Sequence, residues 1–513
     1  MASPQTGAGS STDAISLKTL SPHYSPDQTR IISLDVIKGI AVLLALLVSI
    51  YAWGGLSDGL QNKLIGNARG WHFRIFAVIS LLLEGKMRAL ISLAFGAGMI
   101  LFLVSPHEGL GIRNGELLVR RNMWLMGFGL FNAFVFLWPQ DILFHLGIMG
   151  LLLFPFPRMS TRGLMLAVVL LVLIGAGKNY WYFADDQKAY NKYLVTQALE
   201  KKFSKDSATR MNTKDSTLFN KRRPGVAGVA DSTANSKIAD SLAKKAGDTL
   251  TWKEKDDKQS WEGTAKKFTY DGKKDSANMK SVQITTYGKL WNYLLPQIKS
   301  RESRWFYKNG VWEFATMILL GMFLFKTGFF NGRFSQKQYF MMIVMGIGLG
   351  LLCGWYRIYF HHAAVLDYTN YVKTRSIPHT ILWPFERALI AFGIAAKVVW
   401  VIQTGMFKRI TSMLADVGKL ALTNYLLQSL FLSIFFYGYG MGYYGRLGQF
   451  RLYFLVAEIC LVQVVFSVLW MRYFHTGPAE WLLRSLMYKR KIPFSRKADD
   501  GALKQEQSLP TVI

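Results

Sequence analysis

Ten apolar stretches of membrane-spanning length punctuate this 513-residue chain between Leu34 and Phe474. A helix needs about 20 apolar residues to cross a hydrocarbon core of roughly 30 Å, and it can enter lipid because its backbone groups are satisfied internally. No soluble domain needs ten such runs. The spacing therefore predicts an all-α polytopic transmembrane bundle. Spans are expected near 34–53, 86–104, 120–138, 141–157, 163–183, 311–330, 338–359, 384–403, 414–437 and 451–474. The stretch 72–85 is apolar but short, flanked by Arg74 and Glu84, and reads as an interfacial or re-entrant helix feeding the second span.

Loop charge orients the bundle. Arg113, Arg120 and Arg121, then Arg158 and Arg162, then Lys326, Arg333 and Lys337, then Lys408 and Arg409 fall in alternate connections. They share one side with the basic tail if both termini are cytoplasmic, as the positive-inside rule prefers. The bias is imperfect, because Lys63, Arg69, Arg74, Lys373 and Arg375 fall on the other side. Five segments follow: a polar tail 1–33, a first membrane half 34–183, an outward insert 184–310, a second half 311–474 and a cytoplasmic tail 475–513. The insert carries 26 Lys plus Arg against 15 Asp plus Glu. Long segments translocate despite such charge. It opens with a helical pattern (Tyr190, Leu194, Ala198), passes through a Lys/Asp/Ser-rich centre expected to be mobile, and regains order around Trp252, Trp261, Phe268, Val282, Ile284 and Tyr287.

A net charge of +29 would suggest nucleic acid in a soluble protein. Here loop cations facing anionic lipid account for it, so the bilayer is the expected partner and nucleic acid is not. The two cysteines, Cys353 and Cys460, both fall inside spans, and no metal-ligand spacing is present. The first 33 residues lack a signal-peptide pattern, so span one is expected to serve as an uncleaved anchor.

Ionisable groups near the bilayer are costly and mark candidate sites. Asp35 and Lys38, one turn apart at the start of span one, form either a helix-end pair or, with Arg120 and Arg121, a pocket for an anionic cofactor. Asp141 and His145 share a helix face. A carboxylate holding one imidazole nitrogen would leave the other as a base; the bland alternative is an interfacial cap. His72 is a second candidate base, or simply a surface histidine. Arg88, Glu313, Arg357, His379, Glu386 and Arg387 fall toward the outer ends of their spans. With Asp141 and His145 they either converge on one outward polar cavity or collect where water is. Lys397 and Glu458 lie deeper as unassigned partners. Asn424 and Gln428 are either interhelical hydrogen-bonding residues or substrate contacts. Gly346, Gly350 and Gly354, like Gly96–Ala97–Gly98, read as close helix packing rather than a phosphate loop.

Several strings resemble the YeiB-like inner-membrane family, the bacterial group catalogued as domain of unknown function 418. They are Arg30–Gly39 (RIISLDVIKG), Lys86–Gly98 (KMRALISLAFGAG), Arg120–Leu143, Gly418–Ser429 (GKLALTNYLLQS), Gly440–Gly448 (GMGYYGRLG) and Gly477–Arg484 (GPAEWLLR). The densest part lies in 311–488. Lys38 and Ser49 depart from the family's usual Arg and Asn; Lys38 keeps the charge without the planar fork. The family is more distantly similar to transmembrane acyltransferases. That likeness implies acyl-CoA as co-substrate, entering from the cytoplasm past Asp35, Lys38, Arg120 and Arg121. It also implies His145 with Asp141, or His72, as base, and a glycan, lipid or cell-wall acceptor outside. A transporter with an outward cavity, or a membrane protein without turnover, are the competing readings.

Overall fold

The computed structural model describes residues 31–55, 58–67, 70–104, 114–218 and 250–489, and nothing among them is a β-strand. Residues 1–30 and 490–513 of the expected tails, 219–249 of the insert, and Arg69 and Arg113 lie outside the described residues.

The first half comprises α1 (Ile32–Trp53), α2 (Asp58–Gly66), α3 (Trp71–Leu82), α4 (Lys86–Val104), α5 (Asn114–Phe134), α6 (Leu143–Leu152) and α7 (Thr161–Leu218). Next come α8 (Trp252–Ala265), α9 (Gly272–Gln283) and α10 (Tyr287–Ser300), which runs through a π-helical segment (Arg301–Gly310) into α11 (Val311–Lys326). The second half continues with α12 (Gln336–Leu366), α13 (Tyr368–Thr374), α14 (Trp383–Thr404), α15 (Lys408–Lys419), α16 (Ala421–Phe436), α17 (Gln449–Tyr473) and α18 (Pro478–Tyr488).

Five helical stretches are long and apolar enough to cross a bilayer: α1, α3 with α4, α7 as far as Asp206, α12 and α17. The α15–α16 pair, bent by 74°, makes a sixth if it counts as one span. The full set of ten is not visible by this measure. In place of the span expected at 141–157, α6 has ten residues, a rise of about 15 Å and half a hydrocarbon core. The helix carrying the fifth span does not stop at 183: α7 is 58 residues long in all and continues to Leu218. The stretch 72–85 joins α4 through Gly85, whose φ of +74° turns the chain.

Outward faces explain why this is a membrane protein. Phe340, Val344, Leu352 and Trp355 on α12, with Phe454, Leu461, Val462 and Val465 on α17, are all exposed. Apolar stripes of that size are liabilities in water and the proper surface in lipid.

Glycines set the helix spacing. A β-carbon on Gly39 would overlap the Leu414 carbonyl and one on Gly418 the Asp35 carbonyl, so α1 and α15 touch backbone to backbone. Gly96 and Gly321 do the same for α4 and α11, against Ile318 and Leu93. The Gly346, Gly350, Gly354 stripe packs on α14, as the sequence suggests, whereas Gly98 has nothing within 4 Å.

The described parts of the insert are helical and share core with the bundle: Val282, Leu290, Leu294 and Ile298 pack with Leu46, Ile50 and Trp53. Val282, Ile284 and Tyr287, which alternate in sequence, fall at the end of α9 and the start of α10 rather than on a strand. The end of α9 docks on the glycine-rich string, with Gly438 N donating to Val282 O at 3.0 Å.

Candidate functional site

A cavity of about 870 Å³ opens where α4, α11 and α14 begin, walled also by the last turn of α1, the end of α3 and the middle of α7. Thr264, Lys267 and Phe268, at the end of α8, border it from the insert side. Tyr51 lines it while Asp35 sits at the opposite end of α1; sixteen residues at 1.5 Å put about 24 Å between them.

Three charged networks lie in or against this space. In the first, Glu386 accepts from Lys86 Nζ at 2.5 Å and from Arg357 Nε at 2.8 Å, all three side chains being buried. Arg357 also lies 3.5 Å from Glu84, which lines the cavity and accepts from the Ser80 hydroxyl. Two cations face two carboxylates, so this network is neutral. In the second, Glu313 accepts from Arg88 Nε at 2.7 Å on one oxygen and lies 2.5 Å from an Arg387 nitrogen on the other. Arg301 lies on the face of Trp305, which Arg88 also approaches. In the third, His145 Nδ1 donates to the Asp141 carbonyl at 2.9 Å and Nε2 lies 3.3 Å from Glu302 Oε2. No aligned hydrogen bond joins those last two atoms.

That third network revises the expected dyad. The Asp141 carboxylate does not hold His145; it accepts from Asn132 Nδ2 at 2.7 Å, Phe144 N at 2.9 Å and the Tyr425 hydroxyl at 3.2 Å. Asp141 caps α6, and its backbone fixes the histidine. His145 has no exposed surface and packs among Trp305, Phe306 and Phe314. It stands behind the cavity wall, since Trp305 lines the cavity and His145 does not. Burial, then the nearby Asp141, pushes the Glu302 carboxyl up to about 8. Burial, then repulsion from Arg88, pulls Arg301 down to about 9.

The remaining expected residues divide plainly. Arg88, Glu313 and Arg387 line the cavity, and Arg357 and Glu386 sit directly behind Glu84. His379 stacks on His361 at 4.9 Å outside the lining, its charge strongly disfavoured by burial and then by His361. His72 is exposed and its Nδ1 lies 2.7 Å from Gln449 Oε1. Asp35 and Lys38 pair at 3.3 Å on α1, whereas Arg120 pairs with Glu116 on α5 and Arg121 lies over Phe95 and Phe102. Both helices pack on α4. Asn424 donates to Ser467 at 3.0 Å, Gln428 to Gln463 at 2.8 Å, and Gln463 returns a bond to the Asn424 carbonyl at 3.0 Å. That is α16–α17 adhesion, away from the cavity. Lys397 and Glu458 are exposed on separate helices.

Lys86, Arg301, Glu302 and Trp383 were not singled out from sequence. Lys86 looks like an ordinary loop cation, although Glu84, Lys86 and Arg88 alternate just before an apolar run. Arg301 and Glu302 belong to a stretch that reads as soluble, and only their place one π-segment before span six hints at a role.

Two of the family-like strings meet at one point. Glu480 accepts from Leu422 N at 2.7 Å, Thr423 N at 3.1 Å and the Thr423 hydroxyl at 2.5 Å, tying GPAEWLLR to the first turn of GKLALTNYLLQS. Residues 324–490 match the family described as Protein of unknown function (DUF418). That match covers about a third of the chain. The YeiB-like resemblance read from the strings is therefore shown. The uncharacterized protein YxaH of Bacillus subtilis is 25% identical over 91% of this chain and 96% of its own length. The uncharacterized protein YeiB of Escherichia coli is 31% identical over 36% of this chain and 46% of its own. No solved structure matches significantly. The DUF418 segment supplies α12, α14 and the α16–α18 cap, hence Arg357, Trp383, Glu386 and Arg387, while α4, α7 and α11 supply most of the remaining wall.

Proposed function

We propose that this protein is a multi-pass membrane acyltransferase of the bacterial inner membrane that holds its acceptor in the cavity. The observation that carries this reading is the histidine behind the wall. His145 has Nδ1 committed to a carbonyl, which leaves the Nε2 lone pair as a base, and it packs against Trp305, a residue of the cavity wall. A base for acyl transfer takes the proton from the acceptor hydroxyl or amine as its oxygen or nitrogen attacks the thioester carbonyl; the C–S bond then breaks and the departing CoA thiolate takes that proton from the imidazolium. Glu302 Oε2 lies 3.3 Å from Nε2. Rotation of Trp305 would open the path.

In this proposal acyl-CoA docks at the far end of the bundle, near Asp35, Lys38, Arg120 and Arg121, and its acyl chain passes between helices. Both termini face the cytoplasm, ten segments enter the membrane, and the cavity and insert face outward to a glycan, lipid or cell-wall acceptor. Labelling of a Ser260→Cys variant in intact cells, in a background lacking Cys353 and Cys460, tests the orientation; protection from impermeant reagents sinks it. The activity test is single-turnover transfer from radiolabelled acetyl-CoA by the full chain in nanodiscs. His145→Gln is expected to abolish transfer while keeping the fold.

A permease is the second reading. It is favoured by the absence of any histidine among the described residues lining the cavity. Solute uptake into proteoliposomes without acyl-CoA consumption selects it.

A further inference from the structure

The hydrogen-bonding character of the cavity wall is lopsided. Three buried side-chain atoms of lining residues have no partner: Arg301 Nε, Trp383 Nε1 and Arg387 Nε. All three are N–H donors. No lining residue presents a buried acceptor in the same condition. These N–H groups have no accessible surface of their own, but buried donors left unmatched cost about 1–3 kcal/mol each, more when charged, and a group that only accepts would relieve that cost once the side chains turn toward it.

Charge points the same way. Around Glu313 stand three guanidiniums, Arg88, Arg301 and Arg387, against a single carboxylate. The neighbouring network, Lys86 and Arg357 with Glu84 and Glu386, is balanced, so the excess is local. Glu302 does not offset it, because burial keeps that carboxyl protonated at neutral pH. Over the whole lining, six cations face four carboxylates. The donors are also held in place. Gly85, at φ +74°, brings bare backbone against them: a β-carbon there would stand 2.9 Å from Arg387 Cδ and 3.9 Å from Trp383 Nε1.

We propose that this cavity binds an oxyanion, a phosphate or carboxylate carried on its ligand, between Arg301, Arg387 and Trp383. The guanidinium edges and the indole N–H donate to its oxygens, and Glu313 holds Arg88 and Arg387 apart so that each keeps a free edge. Trp305, Trp312 and Tyr182 also line the cavity, each with a cation over its ring. The site deepens the reading of the cavity as a substrate pocket but stands whether acyl transfer or transport follows. The anion could belong to an anionic acceptor or to the phosphates of acyl-CoA.

Calorimetry on the full chain in zwitterionic nanodiscs separates these cases. The probes are glucose 1-phosphate, glucose, acetyl-CoA and inorganic pyrophosphate. The phosphorylated probes are expected to bind at least tenfold more tightly than glucose. Trp383→Phe, which keeps the ring and deletes only the donor, is expected to weaken them roughly tenfold, as is Arg301→Gln. Competition between acetyl-CoA and glucose 1-phosphate assigns the site to the donor's phosphates; independent binding assigns it to the acceptor. Equal affinity for glucose and its phosphate, or phosphate binding unchanged in well-folded Trp383→Phe, overturns the proposal. Loss of acyl transfer with phosphate binding intact would fail the acyltransferase reading alone.

Discussion

Lys86 Nζ stands 2.5 Å from Glu386 Oε1, and neither side chain has any exposed surface. The carboxylate is shared, since Arg357 occupies its other oxygen at 2.8 Å. Removing one member of a buried ion pair leaves an uncompensated charge, at a cost of about 3–5 kcal/mol. Glu386→Gln leaves Lys86 without its ion-pair partner and Arg357 with only Glu84, at 3.5 Å. It is expected to lower the thermal midpoint in detergent sharply, more than Lys86→Met, which leaves Glu386 with Arg357. Equal midpoints for the two variants would show that the network is not shared as described.

Glu302 makes stability depend on pH. A carboxyl whose folded pKa lies above its unfolded value keeps a proton that the unfolded chain has released, so folding weakens as pH rises between the two. The window runs from the ordinary 4.5 to about 8. Across it the slope approaches about 1.4 kcal/mol per pH unit. Glu302→Gln mimics the protonated form and is expected to flatten the fall in midpoint from pH 5 to 8 without loss at pH 5. A variant curve parallel to wild type would remove Glu302 from the account.

Backbone contact between helices sets which glycines matter. Gly418→Ala places a methyl on the Asp35 carbonyl, and Gly96→Ala places one on Ile318. Overpacking of this kind costs typically about 1–3 kcal/mol, and more where backbone cannot yield. Both variants are expected to cut folded yield, measured by size-exclusion of a fluorescent fusion. Gly98→Ala, with open space around it, is expected to be neutral.

These cases show what could be read without coordinates. Apolar run length and small-residue spacing are local properties, so the helical membrane class and the Gly346, Gly350, Gly354 packing were legible. Convergence of Arg88, Glu313 and Arg387 was suggested because charges at span ends have few places to go. The base was harder. Residues i and i+4 share a face, yet which atom of Asp141 meets His145 depends on the turn before α6, where the carboxylate is drawn to Asn132 and Tyr425. Glu302 was hidden because its meaning comes from a histidine far away in sequence. Ten apolar runs do not become ten helices of spanning length among the described residues, since hydropathy does not reveal that α6 is half the usual length.

Glu480 offers a test of whether the most family-like strings are chemical or architectural. Its carboxylate takes two backbone N–H groups from the first turn of α16 and the Thr423 hydroxyl, while Ala479 N donates back to that hydroxyl at 3.0 Å. A carboxylate at a helix N-terminus satisfies orphan donors and meets the positive end of the dipole, worth about 1–2 kcal/mol in a partly buried setting. Burial pushes its pKa upward against those bonds. The site lies at the start of α16, on the side of the bundle away from the cavity walls, so its loss should spare ligand recognition. Glu480→Gln keeps one acceptor and is expected to lose about half of the stability that Glu480→Ala loses, with pyrophosphate affinity unchanged in both. Weakened binding at full thermal stability would instead make this string part of a functional site.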